Sequence, residues 1–285
     1  MGIATINTKG KGSRKMPSVL SPGLLPHLLR TVSFAAALAM ASAPPAAAQG
    51  FQLGVRGGPS VPHLSGGGNQ ISEGYQSTLA PNFGLLGEFG FTQHFSLMTE
   101  LDYAGQGGVR KGMQPITQSP AGLPPLPPGQ YLYASFRNET ILDYLEAPVM
   151  ARFTWGRGPV VRWFVQGGPY FAYLLQATEK TSGTSQVYVT PAGPPLTIEG
   201  QPIPPQDFGA RTDVRNGLWR FNCGATAGGG TEFLLAPGHR LFLEVRGEYG
   251  LRTIQKDHSN GTSNTGCAEF LVGYKYGFGR AASGS

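Results

Sequence analysis

At 285 residues, with 13% charged side chains, 43 Gly and 24 Pro, the chain has the composition of neither a helical bundle nor a disordered polymer. Its net charge of +6 invites a nucleic-acid partner, but Lys9, Lys11, Arg14, Lys15 and Arg30 all stand in residues 1–48, where no acidic residue occurs. The chain beyond residue 48 is close to neutral and carries no basic footprint, so nucleic acid is excluded as a partner.

The first element is a leader. Basic residues end at Arg30, an apolar stretch runs from Val32 to Ala43, and small residues lead to Ala46-Ala47-Ala48. This order predicts a secretory signal peptide over residues 1–48, cleaved before Gln49, with Met1 or Met16 as its start. The apolar stretch is too short to span a bilayer as a helix.

After the leader, apolar and polar residues alternate in segments of about ten, the length a tilted strand needs to cross a membrane. The first segment, Phe51 to Val61, is the weakest: Phe51, Leu53 and Val55 against Gln52 and Arg56. The second sets Phe83, Leu85, Phe89 and Phe91 against Leu86 and Glu88. The third sets Phe95, Leu97, Leu101 and Tyr103 against Met98, Glu100 and Asp102. The fourth runs Leu145, Val149, Phe153, Trp155 against Glu146 and Arg152, and the fifth runs Trp163, Val165, Phe171, Tyr173 against Arg162 and Gln166. The sixth is Gly-rich, with Trp219, Phe221, Cys223 and Phe233 on one face and Arg220, Asn222, Thr226 and Glu232 on the other. The seventh is the clearest: Leu241, Leu243, Val245 and Tyr249 oppose Phe242, Glu244, Arg246 and Glu248. The eighth sets Ala268, Phe270, Val272, Tyr274, Tyr276 and Phe278 against Glu269, Leu271 and Lys275.

The connections alternate in length. Thr92 to His94, Gly156 to Pro159 and Ala236 to His239 read as tight turns, and the stretches near 62–82, 104–140, 176–217 and 252–266 read as long loops. Pro115 to Pro128 and Pro191 to Pro205 are assigned to loops, because Pro has no amide donor for a ladder. The fold class predicted is all-β: an eight-stranded antiparallel up-and-down transmembrane β-barrel at 49–278, with short periplasmic turns, long extracellular loops and a short tail at 279–285. A soluble barrel of lipocalin type would show the same alternation with the opposite sense. The long–short rhythm and the aromatic residues at strand ends favour lipid outside.

That orientation turns the charges inward. The predicted lumen network comprises Glu88, Glu100, Asp102, Glu146, Arg152, Arg162, Arg220, Glu232, Glu244, Arg246, Glu248, Glu269 and Lys275, with Arg56 on the same side. Eight strands leave room only for side chains, so the network is read as a structural plug of mutually satisfied ion pairs. A conducting pathway is the alternative. No catalytic residue is expected: His63 and His258 are placed in loops and His94 and His239 in turns, and none faces a nucleophile on a strand. A lipid-modifying enzyme is the remote alternative. No Cys/His spacing marks a metal site, and no cofactor is expected. Asn138-Glu139-Thr140 and Asn260-Gly261-Thr262 match a short glycosylation pattern that also occurs by chance. Cys223 and Cys267 point to opposite sides of the wall, which disfavours a disulfide.

Several segments together carry a resemblance: Phe95 to Leu101, the Tyr144-Leu145-Glu146-Ala147-Pro148 run, Gly167-Gly168-Pro169-Tyr170, Gly228 to Glu232 and Val272 to Tyr276. In order and spacing the chain resembles the PorT-like outer-membrane β-barrel proteins of Bacteroidetes-type bacteria. The resemblance implies an eight-stranded barrel in the outer membrane, and the family's founding member is linked to protein secretion across that membrane, a role the resemblance alone does not carry over to this chain. It supplies no catalytic residue. Independently, long loops held on a rigid wall are expected to meet secretion-complex or surface proteins in a non-enzymatic role, with the wall in contact with lipid. The Pro-rich loops and the tail after Phe278 depart from the pattern.

Overall fold

In a computed structural model, the structure describes residues 50–116, 119, 124–127, 130–156, 158, 160–259 and 261–278. The expected leader, the tail at 279–285 and Asn260 of the second glycosylation pattern lie outside the described residues.

Five long strands come first: β1 (Phe51–Gly67), β2 (Ala80–Gly90), β3 (Phe95–Ile116), β4 (Leu132–Trp155) and β5 (Val161–Ser182). Six short ones follow: β6 (Thr184–Ser185), β7 (Val187–Tyr188), β8 (Thr197–Ile198), β9 (Gln201–Pro202), β10 (Gln206–Asp207) and β11 (Ala210–Asp213). The chain ends in β12 (Phe221–Ala236), β13 (His239–Gly250) and β14 (Thr262–Phe278). Eight of these close a ring, β1-β2-β3-β4-β5-β12-β13-β14, in which every neighbour is antiparallel and β14 returns to β1. Closure leaves the wall with no free edge, the condition for strands to cross hydrocarbon. No helix among the described residues is long and apolar enough to do so.

The sense of the wall is read directly from exposure. Along β13, Leu243 and Val245 are 46% and 55% exposed, and the intervening Glu244 and Arg246 are 3% and 1% exposed. Apolar side chains therefore face outward and ionised ones are enclosed, the arrangement a lipid surround requires. Aromatic residues ring the turn end, where Phe51 is in register with both Phe89 and Phe278, Phe95 with Phe153, and Trp155 with Trp163. Phe83, Tyr103, Tyr173 and Phe221 form a second ring. Trp163 to Tyr173 covers ten residues, ~34 Å along a strand and about 26 Å in height at a tilt of ~40°, close to the ~25 Å apolar band of such barrels.

The strands outrun the predicted segments. Loops expected at 62–82 and 104–140 shrink at both ends and those at 176–217 and 252–266 at one, because β1 continues to Gly67, β2 starts at Ala80, β3 continues to Ile116, β4 starts at Leu132, β5 reaches Ser182 and β14 starts at Thr262. Pro115, assigned to a loop, lies in β3 opposite Tyr133, and Pro202 lies in β9. Both positions are near sheet margins, where the missing amide costs no central ladder bond. His63 and His239, assigned to loop and turn, sit on β1 and at the start of β13. Cys223 and Cys267 are free, as their opposite parity requires.

Beyond the membrane band, β3, β4 and β5 rise together. β7 adds to β4 and β11 to β5. Ile116, Leu132, Ala134, Val187 and Ile203 are buried there as a small core of their own, with Phe136 stacked on Phe208 at 4.8 Å.

Glycine fits the wall where an inward ring lies flat on it. A Cβ at Gly273 would run into the ring of Phe242, itself 1% exposed and edge-on to Phe164 at 6.3 Å. Gly273→Val is expected to cost ~1–3 kcal/mol by overpacking, measured as an earlier midpoint in urea unfolding of the detergent-folded barrel. An unchanged midpoint would mean that the lumen has slack at this level.

Candidate functional site

The lumen is filled. Its parity positions, two residues apart on each strand, bring eleven of the thirteen predicted charges and Arg56 toward one axis. Near the turn end, Lys275 Nζ lies 2.5 Å from Glu88 Oε2 and 2.6 Å from Glu232 Oε2. Arg152 Nη2 lies 2.8 Å from the same Glu232 oxygen, and its guanidinium stacks 3.6 Å over the Phe164 ring. Ser96 donates to Glu88 Oε1 at 2.6 Å.

At mid-height, Arg246 grips Glu100 with two bonds, Nη1 to Oε2 at 2.7 Å and Nη2 to Oε1 at 2.9 Å. Its Nε donates to Glu244 Oε1 at 2.7 Å. Arg56 sits 2.9 Å from Glu100 and 2.5 Å from Asp102. Gln166 donates to Glu244 Oε1 at 2.7 Å and accepts from Arg152 at 3.5 Å, joining the two groups. A planar fork satisfying a carboxylate from both sides is the geometry for which Arg is suited.

Two predicted members stay out. Arg162 stands opposite Glu232 in register, and Arg220 precedes β12; both are half-buried, and neither forms an ion pair among the described residues. Each lies near a lumen mouth, where a long side chain can reach water. The expectation of mutual satisfaction also needs correction. Four fully enclosed cations, Arg56, Arg152, Arg246 and Lys275, face eight enclosed carboxyls. The surplus gathers toward the loop end, where Glu146 meets Glu248, and Asn82 donates to Glu269 beside Cys267. Signs that alternate along the chain fall at unequal heights once the barrel's stagger is applied.

Apolar packing inside the lumen is not marked in the sequence. Leu86, Met98, Met150, Phe164 and Phe242 form one inner cluster. Leu64, Ala104, Leu142, Tyr144, Tyr170 and Leu174 belong to another, joined at the loop end by Leu218 and Ile254 and packed against Tyr75. Strand parity puts these residues on the inner face, but only closure of the ring makes them meet. Burial holds the hydroxyl of the loop residue Tyr75 above the usual phenol range.

Residues 42–256 match a protein family described as "Outer membrane protein beta-barrel domain". No curated protein matches the sequence. Among solved structures, the chain is similar to Neisserial surface protein A at 10% identity, covering 80% of this chain and 97% of that one, with a TM-score of 0.36. It is similar to the attachment invasion locus protein Ail of Yersinia pestis at 12% identity, covering 80% and 99%, with a TM-score of 0.32. It is also similar to the outer membrane protein OprG from Pseudomonas aeruginosa at 10% identity, covering 82% and 100%, with a TM-score of 0.39.

Proposed function

We propose that this chain, which belongs to the outer membrane protein beta-barrel domain family and resides in the outer membrane, is a rigid non-enzymatic wall that presents folded loops to a partner outside the cell. The observation that carries this reading is the second core above the membrane band, built by Ile116, Leu132, Ala134, Val187 and Ile203. Loops that serve only to connect strands have no need of a hydrophobic core, whereas a binding surface gains from one because less ordering remains to be paid on contact. The reading includes export by the 1–48 leader and a lumen network that is structural. The PorT-like resemblance supports a finer version, in which the partner is a component of a protein-secretion assembly.

Replacing residues 184–208 by a short Gly-Ser linker tests it. The shortened barrel is expected to reach the outer membrane and to keep its heat-modifiable gel mobility, yet to fail to complement a deletion of the gene. Full complementation would remove the loops from the function. Steady single-channel conductance by the intact chain in a planar bilayer would replace the reading with a conducting barrel.

A further inference from the structure

Toward the loop end of the lumen, carboxyls meet a thiol. Glu248 on β13 and Cys267 and Glu269 on β14 each offer one donor atom, and the three atoms lie within 4.8 Å of one another. Cys267 Sγ is 3.6 Å from Glu248 Oε2 and 3.7 Å from Glu269 Oε1. Glu146 on β4 faces Glu248 across the lumen. One oxygen each of Glu146 and Glu248 has no hydrogen-bond partner among the described residues, and the second oxygen of Glu269 meets only the guanidinium of Arg56, whose Nη1 lies 3.6 Å away.

Acidic crowding alone would show only that negative charge accumulates here. A neutral group provides the independent observation. Gln106, 4% exposed, donates its amide to Cys267 Sγ at 3.4 Å, and its own oxygen is unpartnered among the described residues. An amide oxygen buried without a donor is costly. Acceptors that outnumber donors around one point, some charged and some not, describe the surroundings of a cation.

We propose that the lumen binds one divalent cation of borderline softness, zinc being the natural candidate, through Cys267, Glu248 and Glu269, with the fourth position of its shell left to a non-protein ligand. Zinc takes thiolate and carboxylate ligands together in a four-coordinate shell, whereas magnesium and calcium prefer oxygen alone. As the metal–sulfur bond forms, the S–H bond of Cys267 breaks and its proton leaves to water; no electron is transferred. The two positive charges offset Glu248, which neither Arg56 nor Arg246 pairs, and Glu269, which Arg56 meets only at 3.6 Å. Gln106 is a positioning residue, its amide holding the sulfur at 3.4 Å. The sequence hid the site because its ligands come from two strands, β13 and β14, with no Cys/His spacing to mark them.

The cluster around Tyr144 and Leu142 covers the site at the loop end and the Arg246 ion pairs lie on its other side, so the ion enters while the barrel folds. The test is therefore made on the full chain purified from outer membranes and, in parallel, refolded from urea into detergent with cobalt(II) or zinc present, then desalted. The expected result is about one metal ion per chain, with a near-ultraviolet thiolate-to-cobalt band. Cys267→Ser should keep heat-modifiable mobility and lose the band. Gln106→Leu should weaken retention by roughly 10- to 100-fold. Cys223→Ser, which removes the outward thiol, should leave metal content unchanged. Folded chain that retains no more metal than Cys267→Ser overturns the proposal and assigns the slot to protons and water. Equal metal in Glu248→Gln and the parent overturns it as well.

Discussion

Arg246→Met is expected to lower the unfolding free energy of the barrel by about 3–5 kcal/mol, the cost of stranding buried carboxylates whose cation has been removed. Arg246 is 1% exposed and neutralises two groups at once, Glu100 through a fork at 2.7 and 2.9 Å and Glu244 at 2.7 Å. Met fills a similar volume, so the loss reports charge rather than a cavity. Adding Glu100→Gln should recover a large part of it, because one stranded charge is then gone and Arg56 still keeps Asp102 at 2.5 Å. The coupling between the two sites is the diagnostic quantity, read by a double-mutant cycle from urea unfolding in detergent. A loss under ~1 kcal/mol for the single change would show that water reaches mid-lumen, and the plug would then be a wet one.

The wall is legible in the sequence, and the contents of the lumen are only partly so. Leu241 to Leu251 announce their two faces because one environment is hydrocarbon and the other is not. Tight turns at 92–94 and 237–238 fix strand order, since antiparallel neighbours need nothing longer. Strand ends are illegible for the same reason. Past Gly107 on β3, both faces meet water or loop, so alternation has no cause to persist, and Gly107 and Gly112 take φ of +137° and +88°, a backbone region open to glycine. Val109 to Ile116 pair with β4 regardless, through backbone bonds that leave no mark in side-chain pattern. Ion-pair partners are illegible because height in a barrel depends on stagger. Glu88 and Lys275 are 187 residues apart and in contact, whereas Arg162, opposite Glu232 in register, forms no ion pair with it among the described residues.

One pair of substitutions measures which face of the wall meets lipid. Val245→Arg places a guanidinium on the outward face midway between the aromatic rings, and is expected to cost ~2–4 kcal/mol in a lipid bilayer, the range for a cation at the midplane of such a wall. Leu251→Arg lies outward too, 69% exposed and past the end of β13, and is expected to cost about 0–1 kcal/mol. The two side chains share a parity and differ in depth and in strand membership; β-propensity spans only ~1 kcal/mol, so a larger difference reports the membrane. Reversible unfolding in lipid vesicles supplies both numbers. Equal costs would mean that Val245 faces water. A barrel with water around that face would have to place its ionised groups on it to stay soluble, yet Glu244 and Arg246, the neighbours of Val245, are the ones enclosed.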